Sequence, residues 1–144
     1  MARIERSIEI KALPEKIWQM LHWDRIPEWL EGIKWAEYTS EHREGVGATA
    51  HVKAETGGVK VEFDIEITEY IKNEKASWRT TAGNFTAIGQ TTLQPTKKGT
   101  ELTLMMDYEL PYSILGKIVD KVLVGRETAA GFERGLEKLK KMIE

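Results

Sequence analysis

The stretch YSILGKIVDKVLVGRETAAGFERGLEKLKKMIE, residues 112–144, decides the fold. From Leu115 its apolar and small residues recur at alternating steps of three and four: Leu115, Ile118, Val122, Gly125, Ala129, Phe132, Leu136, Leu139 and Ile143. That spacing sets them on one stripe of a helix, while Asp120, Arg126, Glu127, Glu133, Arg134, Lys138 and Lys141 face away. The stripe is bulky at both ends and thin in the middle, at Gly125 and Ala129. A helix lying on a sheet needs bulk along its whole length to reach interior density. A thin middle therefore means a close backbone approach or room for another molecule. One straight helix of this length would run about 50 Å, against a radius of gyration of about 14 to 15 Å for a domain of this size. A break near Gly125 is expected. Gly131 and Gly135 each cost a helix about 1 kcal/mol relative to Ala, so these glycines serve packing or shape.

Upstream, the chain supplies what such a helix packs on. Ile4, Arg6, Ile8 and Ile10 alternate with Arg3, Glu5, Ser7 and Glu9 as a strand. Leu13-Pro14-Glu15-Lys16 then starts a short helix, with Pro at an early position and an acid in the first turn. A second short helix, capped by Asp24, carries Ile26, Trp29 and Leu30. Six strands follow. Residues 33–42 form one, in which the inward face is either Trp35 or Ala36 and Tyr38. Ala48, Ala50, Val52 and Ala54 mark the next inward face, and Gly57-Gly58 is a hairpin signal. Val59, Val61, Phe63, Ile65 and Ile67 point inward against an outward row of Lys60, Glu62, Asp64 and Glu66. Trp78 lies on a strand over residues 77–81. Phe85, Ala87, Gly89, Thr91 and Leu93 share a face, and Leu102, Leu104, Met106, Tyr108 and Leu110 complete the set. An antiparallel sheet with one apolar face must cover it. The fold class is α+β: a curved seven-stranded antiparallel sheet gripping a long C-terminal helix, with two short helices after the first strand.

Composition narrows the partners. A net charge of -2 and a pI near 6.0 give no electrostatic case for nucleic acid. The basic cluster Arg134, Lys138, Lys140 and Lys141 sits where cations complement a helix macrodipole. There is no cysteine, which excludes disulfides and thiolate chemistry. No apolar run reaches the ~20 residues of a membrane span, and the N-terminus reads as no signal peptide. The expectation is a cytoplasmic protein forming one domain over residues 1–144, without a stable membrane anchor.

Several segments also resemble a known family. Leu13-Pro14-Glu15-Lys16-Ile17-Trp18 followed by Arg25-Ile26-Pro27-Glu28-Trp29-Leu30 resembles the start of the polyketide cyclase/dehydrase group. That group belongs to the START-like (SRPBCC, helix-grip) superfamily. Glu69-Tyr70, Ser77-Trp78-Arg79, Gln94-Pro95-Thr96 before Gly99-Thr100, and Tyr108-Glu109-Leu110-Pro111 continue the likeness, as does the segment from Gly116 to Leu139. The resemblance covers nearly the whole chain and rests on fold-determining residues, not on a catalytic signature. It implies a large apolar cavity between sheet and long helix, and members that bind lipids, quinones or polyketides, that catalyse, or that serve protein partners.

Ala48, Ala50, Ala87, Gly89, Gly125 and Ala129 are small where a filled core would use Leu or Phe, which is what a pocket needs. The alternative is a sheet bent sharply at Gly89 and packed tightly on the helix. The expected ligand-binding set is Trp29, Phe63, Ile65, Trp78, Thr80, Ala87, Gly89, Thr91, Leu104, Met106, Tyr108, Gly125, Ala129 and Phe132. Tyr108, Trp78, Thr80 and Thr91 supply its polar groups, each able to orient one ligand atom. Access is expected past Trp29 and a hinge near Gly125, with Trp23 and Trp29 at the cavity mouth. No charged residue but Glu37 falls near an inward face, so no catalytic residue is assigned. His22, His42 and His51 share no ligand spacing and read as surface or turn residues; no metal and no cofactor are expected. The first function expected is binding of an apolar small molecule. Next come a protein-interaction module and a cyclase or dehydratase with Tyr108 as its acid.

Overall fold

The computed structural model describes residues 2–109 and 121–144. Seven strands, β1 (Ala2–Ile10), β2 (Ile33–Tyr38), β3 (Thr49–Thr56), β4 (Val59–Ile71), β5 (Lys75–Gly83), β6 (Thr86–Pro95) and β7 (Thr100–Glu109), form one sheet. Its order is β1-β7-β6-β5-β4-β3-β2, antiparallel throughout. Strands β2 to β7 pair with their sequence neighbours. β1 closes onto β7, with Ala2 opposite Tyr108 and Ile10 opposite Thr100. Gly57 and Gly58, both at positive φ, make the β3–β4 turn, a backbone shape that other L-residues rarely adopt. Side chains alternate along each strand, so Ala48, Ala50, Val52, Val61, Phe63, Ile65, Leu102, Leu104, Met106 and Tyr108 share the buried face. Ala36 is buried while Trp35 and Glu37 are exposed, which settles the facing of β2.

Between β1 and β2 the chain forms α1 (Pro14–Trp18) and two 3-10 turns, Gln19–Leu21 and Trp23–Glu28. The second is not the α-helix expected from the sequence, and Asp24 does not cap it. Pro27 lies inside it, has no N–H to donate and crowds an α-helical carbonyl, so the tighter i to i+3 geometry takes over. The Asp24 carboxylate instead accepts two hydrogen bonds from Arg43, at 2.7 and 2.5 Å.

The long helix, α2 (Lys121–Ile143), runs unbroken for 23 residues, or about 35 Å. Among the described residues the helix passes through Gly125 without the break expected there. Leu115 and Ile118 lie outside the described residues. Within α2 the buried stripe differs at its start: Val124 is buried and Val122 exposed. It continues through Gly131, Gly135, Leu136, Leu139 and Ile143, with Ala129 and Phe132 half-buried. The C-terminal half of α2 packs on Ile10, Trp18, Leu30 and Leu102. It is tied to the end of β1 by Lys140 Nζ donating to the Glu9 carbonyl (2.9 Å) and by Arg6 paired with Glu133 (2.8 Å). The N-terminal half meets the β3–β4 hairpin through Val124, whose Cα would lie 3.2 Å from a Cβ on Gly57. Thr56 hydrogen-bonds Thr128 there, at 2.8 Å. Between these contacts Ala129 and Phe132 pack against Ile4, Ala87, Met106 and Tyr108 on the sheet, and Gly131 beside them faces open space.

Candidate functional site

The space beneath the middle of α2 is a cavity of about 410 Å³. That volume lies within the range of small-molecule sites, roughly 300 to 1,000 Å³. Trp29, Phe63, Trp78, Thr91, Leu104, Met106, Tyr108 and Phe132, all expected from the sequence, line it; Ile65, Thr80, Ala87, Gly89, Gly125 and Ala129 do not. Each of the latter is engaged elsewhere. Gly89 is covered by Trp78, and a Cβ there would fall inside the indole ring. The Thr80 hydroxyl accepts the Ala87 N–H at 3.1 Å. Ile65 is fully buried beside Phe63 and Val52. Ala87 and Ala129 pack with Ile4, Met106 and Tyr108. A Cβ on Gly125 would stand 3.4 Å from the Tyr108 hydroxyl, so this glycine seats the tyrosine. Ala48 and Ala50 do not reach the cavity either. The small residues singled out in the sequence therefore accommodate neighbouring side chains.

The residue that opens the space is Gly131. It is buried and lines the cavity, yet a Cβ on it would meet only Arg134 Nη2, at 3.9 Å. Tryptophans form much of the opposite wall. Trp23 and Trp78 meet edge to face with centroids 5.2 Å apart, and Trp29 donates its indole N–H to the Met20 carbonyl at 2.8 Å. With 2 % of its surface exposed and that bond made, Trp29 is a fixed wall and not a swinging gate. Charges gather at the rim, where Arg134 pairs with Glu31.

Few polar atoms face inward. The Tyr108 hydroxyl, the Trp78 indole N–H and the Thr91 hydroxyl have no hydrogen-bond partner among the described residues. Burial pushes the Tyr108 phenol above its ordinary pKa, so it remains a protonated donor. A second polar group of side chains sits where the 3-10 turns meet β2 and β4. The Tyr38 hydroxyl accepts the Trp23 backbone N–H at 2.9 Å, and the Tyr70 hydroxyl accepts the Trp18 indole N–H at 3.0 Å. His22 lies in the same wall, with Nε2 3.6 Å from Glu44 Oε1. Burial lowers its pKa, Arg43 adds to the shift, and the imidazole is neutral at pH 7. Desolvation pushes Tyr38 up to about 12.

The polyketide cyclase / dehydrase and lipid transport family matches over residues 1–144. The chain belongs to that family. A 17.2 kDa uncharacterised protein of Streptomyces lincolnensis is 30% identical over 147 residues, spanning 100% of this chain and 91% of its own. A Thermus thermophilus protein has the same fold at a TM-score of 0.81 and 22% identity, over 99% of this chain and 97% of its own. A START superfamily protein of Mycobacterium smegmatis follows at 0.77 and 16%, over 98% and 96%. This polyketide cyclase/dehydrase family member thus has the START-type, helix-grip architecture. Among its described residues no helix is long and apolar enough to cross a membrane.

Three cavity residues of this family member escape a reading of the sequence. Tyr70 would face outward if the alternation of Val59 to Ile67 continued. A register shift between Ile67 and Glu69 turns it inward. Tyr38 had two possible facings, and His22 looked like a turn residue. Only the pairing of β2 with β3 and the packing of the 3-10 turns place them. On the outer face, His51 is held by Asp64 (2.6 Å) and Glu62 (3.0 Å) through its two ring nitrogens. The carboxylates lie on opposite sides of the ring and converge on no common point. Glu66 pairs with Arg79 across the strands, and Lys53 lies over the Trp35 ring.

Proposed function

We propose that the protein binds a hydrophobic small molecule in the cavity between sheet and α2, as a carrier or sequestering module. The observation that carries this is a space of about 410 Å³ walled by Trp, Phe, Leu and Met side chains beneath a side-chain-free helix position. Removing apolar ligand surface from water there contributes about 25 cal/mol per Å². A polar end on the ligand would be oriented by Tyr108, Trp78 and Thr91.

Native mass spectrometry of freshly purified protein, followed by solvent extraction of what is released, tests the reading. The expected result is a co-purifying apolar molecule of a few hundred daltons. An unliganded mass, joined to unchanged tryptophan fluorescence on titration with fatty acids, quinones and polycyclic hydrocarbons, would remove the proposal.

A further inference from the structure

With Trp29 fixed in the wall, a ligand needs another way into the cavity. Of the ion pairs among the described residues, only Arg134 with Glu31 has both partners in the cavity lining. The two side chains come from different elements: Arg134 stands on α2, and Glu31 between the second 3-10 turn and β2. Arg134 donates from Nε to Glu31 Oε1 at 2.8 Å, and its Nη2 donates to the same oxygen. Their side chains are 54% and 58% exposed, so each has water on one side and the cavity on the other. Arg134 Nη2 is also the atom that a Cβ on Gly131 would meet, at 3.9 Å. The pair therefore lies across the opening beside Gly131.

The backbone on each side of the pair is held. The Ile33 N–H donates to the Leu30 carbonyl at 3.0 Å, spanning Glu31, and the Glu55 N–H donates to the Gly32 carbonyl at 2.8 Å. On α2, one residue past Arg134, Gly135 comes so close that a Cβ would lie 2.7 Å from Leu30 Cδ1. Nearer the start of the helix, the hydrogen bond between Thr56 and Thr128 fastens the β3–β4 hairpin at 2.8 Å. What moves between these points is the side-chain pair. Two long side chains in water hold one geometry weakly, because each regains rotamer freedom and hydration on parting. Exposed side chains change rotamer in picoseconds to nanoseconds, so the pair parts and re-forms far faster than the backbone rearranges.

We infer that Glu31 and Arg134 form an ionic latch over the cavity mouth, and that their parting admits and releases the ligand. This rests on the cavity reading above and adds to it the route of exchange. A latch that closes over the empty and the filled cavity alike slows entry and exit by the same factor and leaves affinity unchanged. Lys34, Glu55 and Glu127 line the same cavity but make no ion pair among the described residues. Arg134 with Glu31 is therefore the salt link at this mouth that added electrolyte weakens.

Stopped-flow fluorescence on the full chain reads both rates with a neutral apolar probe, N-phenyl-1-naphthylamine: entry on mixing, exit on dilution into excess cyclodextrin. Where that probe does not bind, polycyclic hydrocarbons followed by tryptophan fluorescence take its place. An exposed ion pair is worth a factor of about two to five, so Glu31→Gln should raise both rates by that factor and leave Kd unchanged. Raising ionic strength from about 0.01 M to about 1 M shortens the Debye length from about 30 Å to about 3 Å. Over that range the wild-type rates should converge on those of Glu31→Gln. Glu31→Arg alone should exchange fastest, and Glu31→Arg joined to Arg134→Glu should restore slow exchange. Near-ultraviolet circular dichroism confirms that each variant is folded. Equal rates for wild type and Glu31→Gln at low salt would overturn the latch and leave the cavity reading standing. So would a faster exit with Kd weakened in proportion, which would make the pair a ligand contact. Failure of every probe to bind the wild type would take the cavity reading down and the latch with it.

Discussion

His22 gives up water where it enters the cavity wall, and that burial, with Arg43 beside it, lowers its pKa from the ordinary 6.5. His51, on the outer face, is raised by its hydrogen bond to Asp64 and, after that, by Glu62. The two shifts act on stability with opposite sign. Where a folded pKa is lowered, the unfolded chain binds more protons; His22 therefore contributes stability present above its unfolded pKa and lost as pH falls through the folded value. His51 contributes stability that is full below its unfolded pKa and lost as pH rises through the raised one. Melting temperatures of His22→Gln and His51→Gln, each against wild type, should separate on this basis. The His51→Gln deficit should be largest at acidic pH, below the unfolded histidine value, and fade as pH rises through the raised folded one, while His22→Gln should gain on wild type as pH falls. Parallel profiles would contradict the assigned environments. Neither environment was legible in the sequence, because a histidine's partners are set by cross-strand pairing and by the packing of the turns.

At the scale of elements the long helix shows how one residue type serves two ends. Gly131 and Gly135 stand one turn apart on the buried side of α2. At Gly131 a Cβ enters open cavity. At Gly135 it would lie 2.7 Å from Leu30 Cδ1 and 3.2 Å from the Trp29 carbonyl. Alanine improves on glycine in a helix by about 1 kcal/mol, and only the second site opposes that gain. Gly131→Ala should raise stability by about 0.5 to 1 kcal/mol. Gly135→Ala should lower it by about 1 kcal/mol, the overpacking cost exceeding the propensity gain. Chemical denaturation of both variants checks the contrast; equal effects would mean the helix shifts freely over Trp29 and Leu30. The sequence showed that α2 is thin in the middle but misplaced the thin point. Gly125 and Ala129 fall on a regular stripe, yet Val124 and not Val122 turns inward, and Gly131 lies between the stripe positions Ala129 and Phe132. The strands were far more legible, since period-two alternation in β3, β4 and β7 is set by the pleat alone. It failed only past the register shift that turns Tyr70 inward.

For the whole molecule, the cavity sets ligand capacity against stability. Two well-packed regions, one around Ile10, Trp18, Leu102 and Leu139 and one around Val52, Phe63, Ile65 and Val124, each take in part of α2. An unfilled apolar volume forgoes contacts, at about 24 cal/mol per Å³ where it stays dry. A ligand restores those contacts and stabilises by mass action, about 2.7 kcal/mol at one hundred times its Kd. For a chain of this length that is roughly a 5 to 10 °C rise in Tm. Gly131→Leu places an apolar side chain in the same space from a position whose Cβ would meet only Arg134 Nη2, at 3.9 Å, and adds helix propensity. Scanning calorimetry should therefore find unliganded Gly131→Leu more stable than unliganded wild type by a few degrees. Its Tm should no longer respond to the molecule extracted from the native protein. A variant that gained stability but kept the full ligand-induced shift would place the ligand somewhere other than beneath α2. One that lost both stability and the shift would show the middle of the helix to be packed, not open. The opposed changes expected here, more stability and less binding from one substitution, follow only if the space under Gly131 is both empty and the site of binding.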